Sequence, residues 1–184
     1  MPSTLAVELP APIERSYLPT RLRPADLLRI TDEGADDVIA GRFDHVLPAE
    51  WPRDARWHTK LYSDDDIDLW LIGWVPDKST ELHDHAGSLG ALTVLSGTLS
   101  EYRWTGTDLK QRFLHAGDQA AFPIGWVHDV MRAPEPDYGQ VSEPTLSVHA
   151  YSPPLTAMSY YEVTGRGGLR RVRTELTNAP EGEI

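Results

Sequence analysis

Between residues 56 and 163 the chain alternates apolar and polar side chains in short runs, the period-2 signature of half-buried β-strands. The runs are R-W-H-T-K-L-Y, D-L-W-L-I-G-W-V, A-L-T-V-L-S, T-L-S-E-Y-R-W, D-L-K-Q-R-F-L, D-Q-A-A-F, V-H-D-V-M, T-L-S-V-H-A-Y and S-Y-Y-E-V. Turn residues separate them at Pro76-Asp77, Ser96-Gly97, Gly106, Ala116-Gly117, Pro123 to Gly125 and in the loop 133–140. Short strands at this spacing predict a mainly β domain, a sandwich or a barrel. Gly165 to Gly168 closes it, and Leu169–Leu176 is expected to add an edge strand.

Ahead of the strands the texture differs. Residues 1–23 carry Pro2, Pro10, Pro12 and Pro19 with no sustained period, which predicts an extended N-terminal arm. Pro24 suits a first helical turn. Leu27, Leu28 and Ile30, then Val38 and Ile39, predict two short amphipathic helices, broken near Gly34 and ending at Gly41, that cover one end of the barrel. The expected organisation is a single domain over 24–176 and a frayed tail over 177–184.

Length and charge narrow the picture. At 184 residues the chain is long enough for one substantial core. With 28 acidic against 17 basic residues the formal net charge is −11, which argues against nucleic acid or an anionic membrane as a partner. There is no cysteine, so disulfides and thiolate ligands are excluded and any metal must use histidine or carboxylate. The opening M-P-S-T-L-A-V-E-L-P-A-P-I has no basic leader, and the apolar run Leu69 to Val75 is too short to span a bilayer. A cytoplasmic protein, monomeric or weakly homo-oligomeric, is expected.

Two clusters carry the chemistry. In T-E-L-H-D-H-A-G-S-L-G, alternation along a strand aims His83 and His85 at one face. In G-D-Q-A-A-F-P-I-G-W-V-H, Gly117, Pro123 and Gly125 lead to His128. The spacing of the two resembles the paired signature motifs of the cupin superfamily, with one departure: the acidic position of the first motif falls on Gly90. Three imidazoles remain, and such a set leaves coordination positions open for a substrate. The run T-L-S-V-H-A-Y-S-P-P-L places Ser147, His149 and Tyr151 two apart, on one face of a strand, where they could form a polar relay inside a barrel or a stripe facing solvent. Leu146, Val148 and Ala150 on the alternate face leave that choice open.

The segments H-D-H-A-G-S, G-W-V-H-D-V and S-V-H-A-Y-S-P-P-L, in this order, resemble the cysteine dioxygenases, the thiol dioxygenase branch of the cupins. The resemblance covers roughly residues 55–163 and implies a cupin (jelly-roll-like) β-barrel with short N-terminal helices. It implies one Fe(II) per chain on His83, His85 and His128. It also implies that Ser147, His149 and Tyr151 form an outer-sphere relay whose tyrosine reaches substrate and O2, and that L-cysteine or a related small thiol becomes a sulfinic acid.

Animal members carry at the position of Gly90 a cysteine cross-linked to the tyrosine matching Tyr151; that thioether cannot form here. Where the family has an arginine that grips the substrate carboxylate, this chain has Lys60, a point charge in place of a planar fork. Trp70 and Trp74 are expected in the core or the pocket wall. Other outcomes compatible with the residues are a dioxygenase for another thiol such as 3-mercaptopropionate, a three-histidine zinc hydrolase, and a cupin that binds metal or a small molecule without turnover.

Overall fold

A computed structural model describes residues 20–134, 144–165 and 167–180. The predicted arm therefore lies outside the described residues except for its last four, as do the end of the loop 133–140 and residues 181–184 of the tail. Thr177 is still tied in, its backbone N–H donating to the Thr156 carbonyl at 3.0 Å.

Among the described residues, one α-helix, α1 (Pro24–Ile39), and a single 3-10 turn (Asp44–Val46) precede eleven strands: β1 (Trp57–Ser63), β2 (Asp68–Trp74), β3 (His83–Asp84), β4 (Leu89–Ser96), β5 (Thr98–Trp104), β6 (Leu109–His115), β7 (Gln119–Phe122), β8 (His128–Arg132), β9 (Thr145–Ser152), β10 (Ala157–Val163) and β11 (Leu169–Leu176). They form two antiparallel sheets, in the orders β1-β2-β9-β4-β7 and β11-β10-β3-β8-β5-β6. This is the jelly-roll barrel expected of a cupin, with β11 the added edge strand.

Two cores result. The inward side chains of both sheets, among them Trp70, Ile72, Trp74, Leu92, Leu99, Phe122, Val130 and Tyr151, fill the barrel. A second cluster forms outside the first sheet, where Leu27, Ala35 and Val38 of α1 cover Leu69, Leu71, Ala91, Val148 and Ala150. β9 lies at the centre of its sheet and is buried along its whole length, one face in the barrel and the other under the helix. Both faces of T-L-S-V-H-A-Y are thus interior, which alternation alone could not show.

The helix corrects two expectations. It is one unbroken element rather than two, and it lies across the outer face of a sheet rather than over an end of the barrel. Gly34 is the reason. A Cβ there would come within 3.0 Å of Leu69 and 3.2 Å of Val148, so the glycine lets helix and sheet approach closely instead of breaking the helix. The start is as predicted: Pro24 occupies the first turn, and the Asp26 carboxylate accepts the Arg23 N–H at 2.8 Å. Gly41, at φ 75°, follows its end.

Candidate metal centre

β3 is two residues long, and its neighbours hold it in place. His83 is paired with Tyr160 of β10 on one side and with His128 of β8 on the other. Directly opposed residues share a face, so His83 and His128 meet inside the barrel. Asp84, between the histidines, turns to the other face. There its carboxylate accepts the Tyr161 hydroxyl at 2.7 Å and the Ala86 N–H at 2.9 Å, and Ala86 adopts a left-handed φ of 50°. This tight turn returns the chain beside His85.

The ligand atoms of His83, His85 and His128 all lie within 4.8 Å of one another, and all three residues are buried. The Nε2 atoms of His83 and His85 are 3.2 Å apart. Two nitrogens about 2.1 Å from one ion and about 100° apart would be separated by about 3.2 Å, so the spacing suits a shared cation. Hydrogen bonds orient two of the rings. His83 Nδ1–H donates to the Glu81 carbonyl at 2.9 Å, and His128 Nδ1–H donates to the Glu101 carboxylate at 2.8 Å. Each ring thereby presents its Nε2 lone pair to the centre.

Gly90 explains the missing carboxylate ligand sterically. A Cβ at that position would stand 2.8 Å from Phe122 and 3.5 Å from Tyr151. The barrel wall has no space for a glutamate there, nor for a cysteine that could couple to Tyr151. The donor set is three neutral imidazoles, which fit a divalent first-row metal and leave its charge uncompensated.

Glu101 escaped the sequence reading. It is fully buried, holds His128 with one oxygen and pairs with Arg112 through the other. Burial alone would push its carboxyl up; the His128 hydrogen bond and the Arg112 guanidinium outweigh that and hold it below the ordinary range. The one sequence signal was a charge in phase with the buried Leu99 on the same strand.

Ser147, His149 and Tyr151 are each 0% exposed and linked in line. Ser147 Oγ lies 2.9 Å from His149 Nε2, and His149 Nδ1 lies 3.2 Å from the Tyr151 hydroxyl. Trp74, expected only as core or wall, adds a fourth member, since its indole N–H donates to Ser147 Oγ at 2.8 Å. An indole only donates, so Ser147 accepts from Trp74, and Ser147 Oγ and His149 Nε2 share the next proton. His149 Nδ1 and the Tyr151 hydroxyl share the proton after that. The Tyr151 ring is 5.0 Å from that of His85, so this end abuts the histidine cluster.

A family model described as cysteine dioxygenase type I matches residues 48–164. The chain belongs to the cysteine dioxygenase type I family. Cysteine dioxygenase type 1 of Rattus norvegicus is 26% identical over 172 residues, covering 83% of this chain and 86% of the rat protein. The Homo sapiens protein of that name is 24% identical over 160 residues, covering 77% of this chain and 80% of its own. A solved structure of a double-stranded β-helix protein from Klebsiella pneumoniae gives a TM-score of 0.46 at 19% identity, covering 67% of this chain and 90% of its own. A cupin superfamily protein from Desulfitobacterium hafniense gives 0.44 at 14% identity, covering 58% and 88%. Family membership makes the chain a dioxygenase-type oxidoreductase by descent, and the three histidines are its candidate metal ligands.

Lys60 is exposed on β1 and is the register partner of Trp70, which in turn opposes His149. Its Nζ is 3.1 Å from Asp68 Oδ1 and 4.7 Å from the centre of the Trp70 ring. Among the described residues, no helix is long and apolar enough to cross a membrane.

Proposed function

We propose that this protein is an Fe(II)-dependent thiol dioxygenase that converts L-cysteine, or a closely related small thiol, and O2 to the sulfinic acid, with one Fe(II) per chain held by His83, His85 and His128. The observation that carries the reading is the buried hydrogen-bonded chain Trp74, Ser147, His149, Tyr151, which ends in a phenol beside a three-histidine cluster. A bare structural metal site has no use for such a chain.

The balance is RSH + O2 → RSO2H: sulfur gives up four electrons, O2 takes them, both oxygen atoms enter the product and no external reductant is consumed. Bound between neutral imidazoles, Fe(II) would supply a doubly positive centre that favours the substrate as thiolate and brings it together with O2. The protein does the rest. Tyr151 donates a hydrogen bond to the reacting oxygen or sulfur, and His149 holds its phenol in place. Ser147, backed by Trp74, holds His149 in one tautomer. Lys60, which lies over the Trp70 ring, meets the substrate head group, and Phe122 and Tyr151 pack around Gly90.

The test is anaerobic loading with Fe(II), followed by oxygen uptake with a panel of thiols and mass spectrometry of the product made under isotopically labelled O2. One O2 consumed per thiol, with both labelled atoms in the sulfinate, is expected. Oxygen uptake with none of the thiols would sink the dioxygenase assignment and favour a cupin that binds without turnover.

A further inference from the structure

We propose that Arg173, on the edge strand β11, is a positioning residue for the candidate metal ligand His83, which it fixes through the Glu81 peptide that orients the imidazole and through the Tyr160 ring that packs beside it. This rests on the three-histidine metal centre above and extends it to a strand beyond residue 164, where the family match ends.

β3 contributes only two residues to its sheet, so its own ladder does little to fix the direction of the His83 ring. The ring is aimed by its Nδ1–H, donated to the Glu81 carbonyl at 2.9 Å. Glu81 itself sits at a left-handed φ of 61°, a conformation that a residue with a Cβ keeps only where its surroundings hold it. Three tethers do so. The Glu81 N–H donates to Ser79 Oγ at 3.0 Å, the Leu82 carbonyl accepts the Tyr161 N–H at 2.7 Å, and the Glu81 carboxylate pairs with the Arg173 guanidinium. The first two hold the backbone on either side of the Glu81 carbonyl, and the third holds the side chain.

Arg173 meets His83 from a second direction. Tyr160 is the register partner of His83 on β3 and of Arg173 on β11, so the three stand in one row across three strands. Arg173 Cζ lies 3.6 Å from the centre of the Tyr160 ring, and that ring, 3% exposed, is 6.2 Å from the His83 ring, centre to centre. A guanidinium over a buried aromatic ring at this range makes a cation–π contact. The planar fork sets its direction, with Nε–H donating to Glu175 at 2.7 Å while Nη2 faces Glu81. Both ends of the Arg173–Glu81 pair are largely open to solvent, and an ion pair of this exposure contributes little to folding stability. Its consequence is geometric, because both routes from Arg173 end on one imidazole.

The experiment reads that imidazole and the metal apart from turnover, in the wild type, Arg173→Gln, Arg173→Lys and Glu175→Gln. Glutamine removes the charge and the fork, lysine keeps the charge alone, and Glu175→Gln removes the neighbouring ion pair without touching Glu81. In the metal-free protein, NMR of the isotope-labelled imidazoles should show His83 as the Nδ1–H tautomer, and Arg173→Gln should speed exchange of that proton by about tenfold or more. Competition between the protein and a chelator for Co(II) should show binding weakened by about tenfold in Arg173→Gln, the lower end of what losing a group that orients a ligand costs. The Co(II) ligand-field bands should shift in the same variant while its denaturation midpoint stays that of the wild type. Arg173→Lys should recover part of the affinity, and Glu175→Gln should match the wild type. Unchanged Co(II) affinity and bands in Arg173→Gln, or an equal change in Glu175→Gln, would overturn the role of Arg173 alone. A wild type that binds no Co(II) would remove the metal centre itself.

Discussion

His128 Nδ1 and Glu101 Oε1 lie 2.8 Å apart in the barrel interior, both side chains without solvent exposure, and Arg112 pairs with the far oxygen of the same carboxylate. A metal ligand oriented by a buried anion is a stiffer and more basic donor than one oriented by water. The arrangement makes Glu101 part of the centre although it would touch no metal.

Glu101→Gln should therefore weaken metal binding by about 10- to 100-fold while the fold persists, since the amide oxygen still accepts from His128 but carries no charge. Competition with a chromophoric chelator measures this. His128→Ala should abolish tight binding altogether, and stoichiometric metal retained in that variant would remove His128 from the site.

Loss of the phenol tests the relay. Tyr151→Phe should retain metal and stability but lower turnover by roughly one to three orders of magnitude, the effect of one positioned hydroxyl lost where charge develops. Trp74→Phe, which deletes the N–H on Ser147 and leaves part of a buried ring's volume unfilled, should lower turnover by a smaller factor. An unaltered rate in the tyrosine variant would make the Ser147, His149, Tyr151 line a structural feature.

Gly90 is required by its neighbours. Gly90→Ala puts a methyl 2.8 Å from Phe122, and overpacking of this kind costs about 1–3 kcal/mol. Denaturant titration should show that loss, and Phe122→Leu in the same chain should recover part of it. No change in midpoint would mean that the wall yields more easily than its packing suggests.

His58 faces inward two residues before Lys60, its ring edge-on to Trp70 at 5.4 Å. Burial, and then the Arg56 charge, lower its pKa from 6.5. The folded protein thus binds this proton less readily than the unfolded chain. The stabilising contribution is complete above pH 6.5 and is lost as pH falls from there towards the lowered folded value. Comparing stability against pH for the wild type and His58→Gln isolates it: the variant's curve should be flatter in that window. Identical slopes would contradict the assignment.

The local code of this chain carried a large part of its architecture. Alternation and turn residues located the long strands, because a strand's exposure pattern has period two and its ends need glycine, proline or aspartate. Alternation brought forward His83 with His85 and set Ser147, His149 and Tyr151 on one face, because residues two apart on a strand must point the same way; the resemblance to the cupin and cysteine dioxygenase motifs added His128 and the relay.

What local rules could not decide was which groups meet across strands. Whether β9 turned its polar or its apolar face inward was open until the helix was seen to cover one face and the barrel to enclose the other. Gly34 looked like a break because glycine lowers helix propensity, and only the nearness of Leu69 and Val148 shows that its missing Cβ serves packing. Glu101 reaches His128 across 27 residues of chain and Trp74 reaches Ser147 across 73, distances over which no periodicity speaks. Lys60 was singled out by the family resemblance, and its ion-pair partner, Asp68 on the next strand, was set by a one-residue bulge. Side-chain direction is a local property of the backbone, whereas the partner a buried charge finds depends on the register and closure of the whole barrel.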